Sequence, residues 1–188
     1  MTRSRDLDEN AYRIITHIKE NPGCYLRQIK YDLHLSMGTI QYHLNKLEND
    51  GKIVSHRSGL HKHYFPVGVF KDHEKEIMTF LTQETSREII MFITEQGSPT
   101  QTDIANKIKI SASSINWHLN RLLHSNLIEE IKDGKYKRYV LNSEISSLYV
   151  GKLLKNYYPN IWDKWSNRLA EMFLSLSSIE ETKEEDDT

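Results

Sequence analysis

The sequence predicts a mainly helical protein built from one small module used twice, each copy closing on a β-hairpin, with further helices after the second. Three observations carry this. Residues 14–66 read again at 89–141, displaced by 75 positions without a gap, and 15 of the 53 paired positions are identical, among them Ser36/Ser111, Ile40/Ile115, His43/His118 and Lys62/Lys137. A period of 75 is the size of a small domain rather than of one helix pair, which makes the chain a tandem and not a solenoid. Within each copy, apolar residues recur first at helical spacing and then in β-compatible runs around a glycine turn.

The elements follow in order. Asp8–Glu20 places Ala11, Ile14, Ile15 and Ile18 on one helical face, and Asn21-Pro22-Gly23 ends it. A short helix is expected at about Leu26–Leu33. Ser36 then serves as N-cap for a third helix reaching about Asp50, with Ile40, His43, Leu44 and Leu47 turned inward. After Gly51, the runs 52–57 and 60–65 form a hairpin around Ser58-Gly59. In the second copy, Thr85-x-x-Glu88 and Thr100-x-x-Asp103 read as capping boxes for its first two helices, and Ser111 caps the third. Its hairpin strands are 128–132 and 135–141, with Asp133-Gly134 as the turn. Between the copies, Phe70, His73, Ile77, Phe80 and Leu81 step by threes and fours, which predicts an amphipathic helix packed on a module. Two more helices, 143–157 and 160–175, are expected either side of Pro159. The divisions are a domain over 8–66, a linker helix over 67–83, a domain over 84–142, a helical pair over 143–176 and an acidic disordered tail over 177–188.

Helix, helix, short turn, helix and two-stranded hairpin is the winged helix-turn-helix, so the fold class is mainly α with small β-hairpin wings, two such domains in tandem plus C-terminal helices. The stretch Leu35-Ser36-Met37-Gly38-Thr39-Ile40-Gln41-Tyr42-His43-Leu44-Asn45-Lys46-Leu47, followed by Gly51-Lys52-Ile53 and the wing, resembles the MarR/ArsR-type winged-helix transcriptional regulators, most of all the tandem form common in archaea. The resemblance covers about residues 8–142. The second copy departs from it at Ser113, Trp117 and Asn126, which stand where the first has Gly38, Tyr42 and Gly51.

In a winged helix the third helix enters the major groove and the wing meets the backbone. The expected base-edge and backbone positions are Thr39, Gln41, Tyr42, Asn45 and Lys46 in the first copy. In the second they are Ser113, Ser114, Asn116, Trp117, Asn120 and Arg121. Gln41 and Asn45 suit bidentate contact with adenine. Arg57, His61, Lys62 and His63 on one wing, and Lys135, Lys137 and Arg138 on the other, are the expected phosphate contacts; solvated wing tips are the plain alternative. Ile161, Trp162, Trp165, Leu169 and Phe173 form an apolar stripe that either the chain's own modules or a second copy must cover; a homodimer is the expected use.

Composition sets limits on partners and compartment. The net charge of −1 divides unevenly: 179–188 alone carries −5, leaving +4 on the rest. That acidic run is either a solubilising tail or a mimic of nucleic acid. The single cysteine, Cys24, excludes an internal disulfide framework and suits a reducing cytoplasm; a reactive thiol is its less ordinary reading. No apolar run is long enough to span a bilayer. His43 and His118 read as core histidines, and His56, His61 and His63 lack the cysteine or carboxylate company of a metal site. Neither a cofactor nor a catalytic constellation is expected, and an effector cannot be named. The sequence therefore points to a cytoplasmic regulator that binds double-stranded DNA. The rival is a tandem winged-helix scaffold binding proteins, as in chromosome-condensation or sorting-type complexes.

Overall fold

The structure, a computed structural model, describes residues 2–145 and 147–167. The chain divides into two compact units, with the boundary between Arg87 and Glu88. The first runs α1 (Thr2–Glu20), β1 (Cys24–Tyr25), α2 (Leu26–Leu33), α3 (Met37–Asn49), β2 (Ile53–Ser58), β3 (His61–Pro66) and α4 (Asp72–Leu81). Next come α5 (Glu84–Gln96), which spans the boundary, α6 (Gln101–Ile108), α7 (Ala112–His124), β4 (Ile128–Asp133), β5 (Tyr136–Leu141) and α8 (Ser147–Tyr157). Residues 159–167 are helical as well.

The first unit's core joins Ile14 and Ile18 of α1, Ile29 of α2, Ile40, Leu44 and Leu47 of α3, and Ile53 and Tyr64 of the wing, with Cys24 among them. Each fully buried Ile or Leu contributes about 1.5–3 kcal/mol, so this shared face fixes how α3 is held. Cys24 is fully buried, and burial followed by the nearby Asp32 charge pushes its thiol above the ordinary range. That corrects the reactive-thiol reading, because a protonated, enclosed sulfur is a poor nucleophile. His43 is buried too, while His118 is half-buried.

The turn before each third helix is built alike. His34 (φ 53°) and Lys109 (φ 59°) end α2 and α6 in the left-handed region. Ser36 Oγ then accepts from Thr39 N at 3.1 Å, and Ser111 Oγ from Ser114 N at 3.2 Å. After the helix, Gly51 (φ 65°) and its counterpart Asn126 (φ 55°) adopt the same conformation. Asparagine is one of the few other residues that tolerates it, so the departure at 126 leaves the backbone path unchanged.

The wings repeat pair for pair. Each register from Ile53↔Pro66 to Ser58↔His61 recurs 75 positions on, from Ile128↔Leu141 to Asp133↔Tyr136. Both turns are two-residue loops, Gly59-Leu60 and Gly134-Lys135, with positive φ at the glycine and not at the residue after it. That is the II′ pattern, whose backbone twist matches the flanking strands. The expected turns at Ser58-Gly59 and Asp133-Gly134 are thus moved one residue along, and Lys135 lies in the loop.

Several other expectations change. Helix α1 begins at Thr2 rather than at Asp8. Helix α5 begins at Glu84, so Thr85 lies inside it and does not cap it. Thr100 and Asp103, by contrast, form the reciprocal capping box. His73 is exposed, off the buried stripe of Phe70, Ile77, Phe80 and Leu81. The short strand β1 pairs with β3 and makes the first sheet three-stranded, order β1-β3-β2. In the second copy the equivalent pairing shrinks to one bridge, Thr100↔Arg138: Tyr139 N still donates to the Pro99 carbonyl at 3.0 Å, but Ser98 N turns to the Gln96 carbonyl, whereas Gly23 N crosses to that of Tyr64.

The repeat extends past the wing. Helices α4 and α8 each start six positions after the last wing residue, and α5 and the last helical stretch start 75 apart. Their chemistry differs. Glu76 on α4 accepts from the His56 ring and, at 3.3 Å, from Ser58 Oγ, tying the helix to the wing. Position 151, its counterpart, is glycine, and a Cβ there would meet the Trp162 ring at 2.8 Å. Trp162 and Trp165 lie edge to face with ring centres 5.6 Å apart, and Trp165 is 2% exposed. Trp165 is therefore covered by its own chain, which corrects its reading as part of an open dimer face; Ile161 and Trp162 are half-buried. Leu169, Phe173 and the acidic run lie outside the described residues. No described helix is long and apolar enough to cross a membrane.

Candidate nucleic-acid interface

Burying Ile40, His43, Leu44 and Leu47 turns the opposite side of α3 outward. Gly38, Gln41, Tyr42, Asn45 and Lys46 are exposed there, in steps of three and four. Thr39 is half-buried, its hydroxyl 2.8 Å from Ser36 Oγ, so it is partly engaged at the cap. A Cβ at Gly38 would meet nothing within 4 Å, so no packing inside the chain requires glycine. On α7 the same stripe holds Ser113, Ser114, Asn116, Trp117 and Asn120, with Arg121 half-buried beside it. The hydroxyls of Ser113 and Ser114 lie 3.0 and 2.8 Å from Ser111 Oγ, as Thr39 does in the first copy. The Arg121 guanidinium lies over the Trp117 ring, 4.6 Å from its centre.

The wings separate the expected cations. Arg57 and Lys135 are exposed, Lys135 lying 5.1 Å from the centre of the Tyr136 ring. His61 is exposed and leans on Tyr25, ring centres 5.7 Å apart. Lys62 Nζ donates to Glu48 of α3 at 2.8 Å, and Lys137 Nζ to Glu130 at 3.0 Å. Partial burial opposes ionisation of Glu48, but hydrogen bonds from Lys62 and Ser55 outweigh it and hold the carboxyl below its usual range. With its side chains substantially exposed, the Lys62–Glu48 pair is worth about 0–1 kcal/mol, and the Lys137–Glu130 pair lies open to solvent. A phosphate can take either lysine at little cost.

His63 is a correction. It is 1% exposed, and its Nδ1 lies 2.7 Å from the Gly23 carbonyl, so it ties the wing to the turn after α1 and meets no solvent. Arg138, its counterpart, grips the equivalent carbonyl, that of Ser98, at 3.0 Å and also pairs with Asp133 at 2.6 Å. The alternation that placed both on a basic wing could not show the backbone packed beside it. Leu60, the tip of the first wing, is 92% exposed, and the sequence gives no sign of it because one apolar residue in a turn carries no pattern. Among the described residues, no group of three or more His, Cys, Asp or Glu is placed to hold a metal ion.

The comparisons with known proteins follow the same division. A family described as an N-terminal HTH domain matches residues 8–78, and one described as winged helix-turn-helix DNA-binding matches 82–129. An uncharacterized HTH-type transcriptional regulator of Methanocaldococcus jannaschii is 24% identical over 139 residues, 74% of this chain and 35% of that protein. The chain thus spans about a third of the length of this curated relative. Among solved structures, HlyU from Vibrio cholerae is 17% identical, with a TM-score of 0.39 over 43% of this chain and 87% of its own. NadR in complex with 4-hydroxyphenylacetate is 23% identical, with a TM-score of 0.38 over 58% and 83%. Both units carry a capped third helix and a wing, and each matches a helix-turn-helix family over its own span: the chain carries two winged helix-turn-helix domains in tandem.

Proposed function

We propose that the chain is a sequence-specific regulator of transcription that binds double-stranded DNA, with α3 and α7 in the major groove and the wings on the backbone. The observation that carries this is the row of exposed amides, Gln41 and Asn45 on α3 and Asn116 and Asn120 on α7, on helices whose other face is locked into a core. Amides in such rows match the donor and acceptor pattern of adenine. The exposed or weakly paired wing cations supply the sequence-independent share of affinity. The reading is of a cytoplasmic binding protein rather than an enzyme, working without a cofactor. It includes a homodimer through the helices after the second wing, with Ile161 and Trp162 as the half-exposed contacts.

Titration of labelled promoter DNA at two salt concentrations, with light scattering on the same sample, tests both parts. Affinity is expected to fall steeply as salt rises, and the free protein to scatter as a dimer. Absence of binding even at low salt refutes DNA recognition and favours the protein-binding scaffold, whose support is that Lys62, Lys137 and Arg138 already meet carboxylates. A monomer at micromolar concentration refutes only the dimer.

A further inference from the structure

We propose that Leu60, at the tip of the first wing, is a wedge that enters the DNA minor groove and opens one base step, so that the first module bends its site and the second does not. This rests on the DNA reading above and adds recognition of DNA shape to it. Leu60 is 92% exposed. A single exposed leucine is ordinary on a protein surface, and its place in the chain is what sets this one apart. It is the second residue of a two-residue II′ loop, where polar turn residues are the rule, and it gains almost no burial from its own chain. The other loop residue is Gly59, so the leucine supplies the loop's only side chain.

The surroundings identify the partner as a polyanion. Arg57 and Lys62 are cross-strand partners just below the tip, both exposed, and no acidic residue lies in 53–66. The carboxylates that reach this wing from outside, Glu48 and Glu76, are each engaged by its own side chains. An apolar apex flanked by cations suits passage between two rows of phosphates to a floor of sugars and base edges. The minor groove is about 6 Å wide. Hairpin strands lie about 4.8 Å apart, so with their side chains the body of the wing cannot follow the tip in, whereas one leucyl group can. A wedge must also be stiff. Ser58, next to the loop, is 8% exposed and donates to Glu76 at 3.3 Å, the His56 ring reaches the same carboxylate, and His63 is held on the Gly23 carbonyl at 2.7 Å. The hairpin is thus braced to within one residue of its loop. The second wing has Lys135 in place of Leu60 and Gly151 in place of Glu76, a cation without that brace, which suits a phosphate and not a base step.

The test uses the full chain and duplexes selected by it from a random pool. One set is labelled at both ends for energy transfer. A second carries 2-aminopurine or pyrrolocytosine, which brighten on unstacking, at each adenine or cytosine in turn on either strand. Wild-type protein is expected to bend the duplex by roughly 20–90° and to brighten the probe at one step. Leu60→Ala should abolish the brightening, reduce the bend and weaken binding roughly tenfold, while melting at the wild-type temperature. Leu60→Met should keep both signals, and Leu60→Lys, which copies the second wing, should bind with neither. A mismatch at the brightened step lowers the cost of unstacking and should tighten wild-type binding more than that of Leu60→Ala. An unbent duplex with wild type, or a bend and brightening that survive in Leu60→Ala, overturns the proposal. So does an altered oligomeric state in Leu60→Ala with the bend unchanged, which would make the tip a protein contact. Gln41→Ala separates this from the broader reading: if it weakens binding to a duplex that Leu60→Ala binds and bends as before, DNA recognition stands and the wedge falls. Failure of wild type to bind any duplex at low salt removes both.

Discussion

His63 lies between Tyr25 of β1 and His56 of β2 in a three-stranded sheet, and its ring is held against the Gly23 carbonyl. Burial, more than any neighbour, pushes its imidazole below the ordinary value of 6.5; the Gly23 bond opposes this, while the charges of His61 and His56 add to it. The unfolded chain therefore binds a proton at this residue at a pH where the folded one does not. Its contribution to stability is present above about 6.5 and is lost as pH falls through the folded value. Thermal unfolding of the full chain should accordingly drop between about pH 7.5 and about pH 5.5. His63→Gln, which can still donate to Gly23 but does not titrate, should narrow the drop. His17 and His118 are shifted the same way by burial, so some of it will persist. An unchanged drop in His63→Gln refutes the assignment. The sequence made this histidine a phosphate contact because charge and alternation were all it displayed. The residues that enclose it, Gly23 and Tyr25, lie about forty positions away, and only the fold brings them together.

Among the elements, the helices other than the start of α1 are legible to within a few residues because each repeats an apolar face, and the capping serines 36 and 111 mark the third helix of each copy. Strand β1 was not legible: two residues are too short to show alternation, and its partner is distant. The link between α4 and the first wing was equally hidden. Glu76 lies on the exposed-looking side of an amphipathic helix, yet it accepts from both His56 and Ser58, and its side chain is only 25% exposed. The second wing has glycine at the matching position 151, and five of the six residues of β4 are exposed. The two hairpins share a register but not a support. Amide hydrogen exchange should therefore be slower along β2 and β3 than along β4 and β5. A hydrogen bond to a charged partner contributes about 1.5–3 kcal/mol, so Glu76→Ala should speed exchange in the first wing by roughly ten- to a hundredfold. The second wing should not change. If the first wing exchanges at its wild-type rate in that variant, Glu76 is not what holds it.

At the scale of the whole molecule, duplication with unequal decoration is the main theme. Residues 53–66 hold two basic and no acidic side chains, whereas 128–141 hold four basic and three acidic. The same lysine, 62 or 137, meets a carboxylate in both, but from different places: Glu48 is on α3, and Glu130 is on the neighbouring strand of its own wing. Hydrogen bonding to Glu130, first among the causes, raises the Lys137 ammonium above its usual range, so it stays charged. Lys62→Glu would remove a cation from the more basic wing and set two carboxylates against each other across the contact between wing and α3. Lys137→Glu would confine its repulsion to the second hairpin and leave α7 where it is. Each reversal should lower the slope of log affinity against log salt by roughly 1, as one phosphate contact is lost. Lys62→Glu should cost more at any one salt concentration, because it also disturbs the helix that carries Gln41 and Asn45. Circular dichroism melts of both variants establish that each is folded before their affinities for the same duplex are compared. An equal or larger loss from Lys137→Glu would show that the second copy engages DNA at least as strongly as the first.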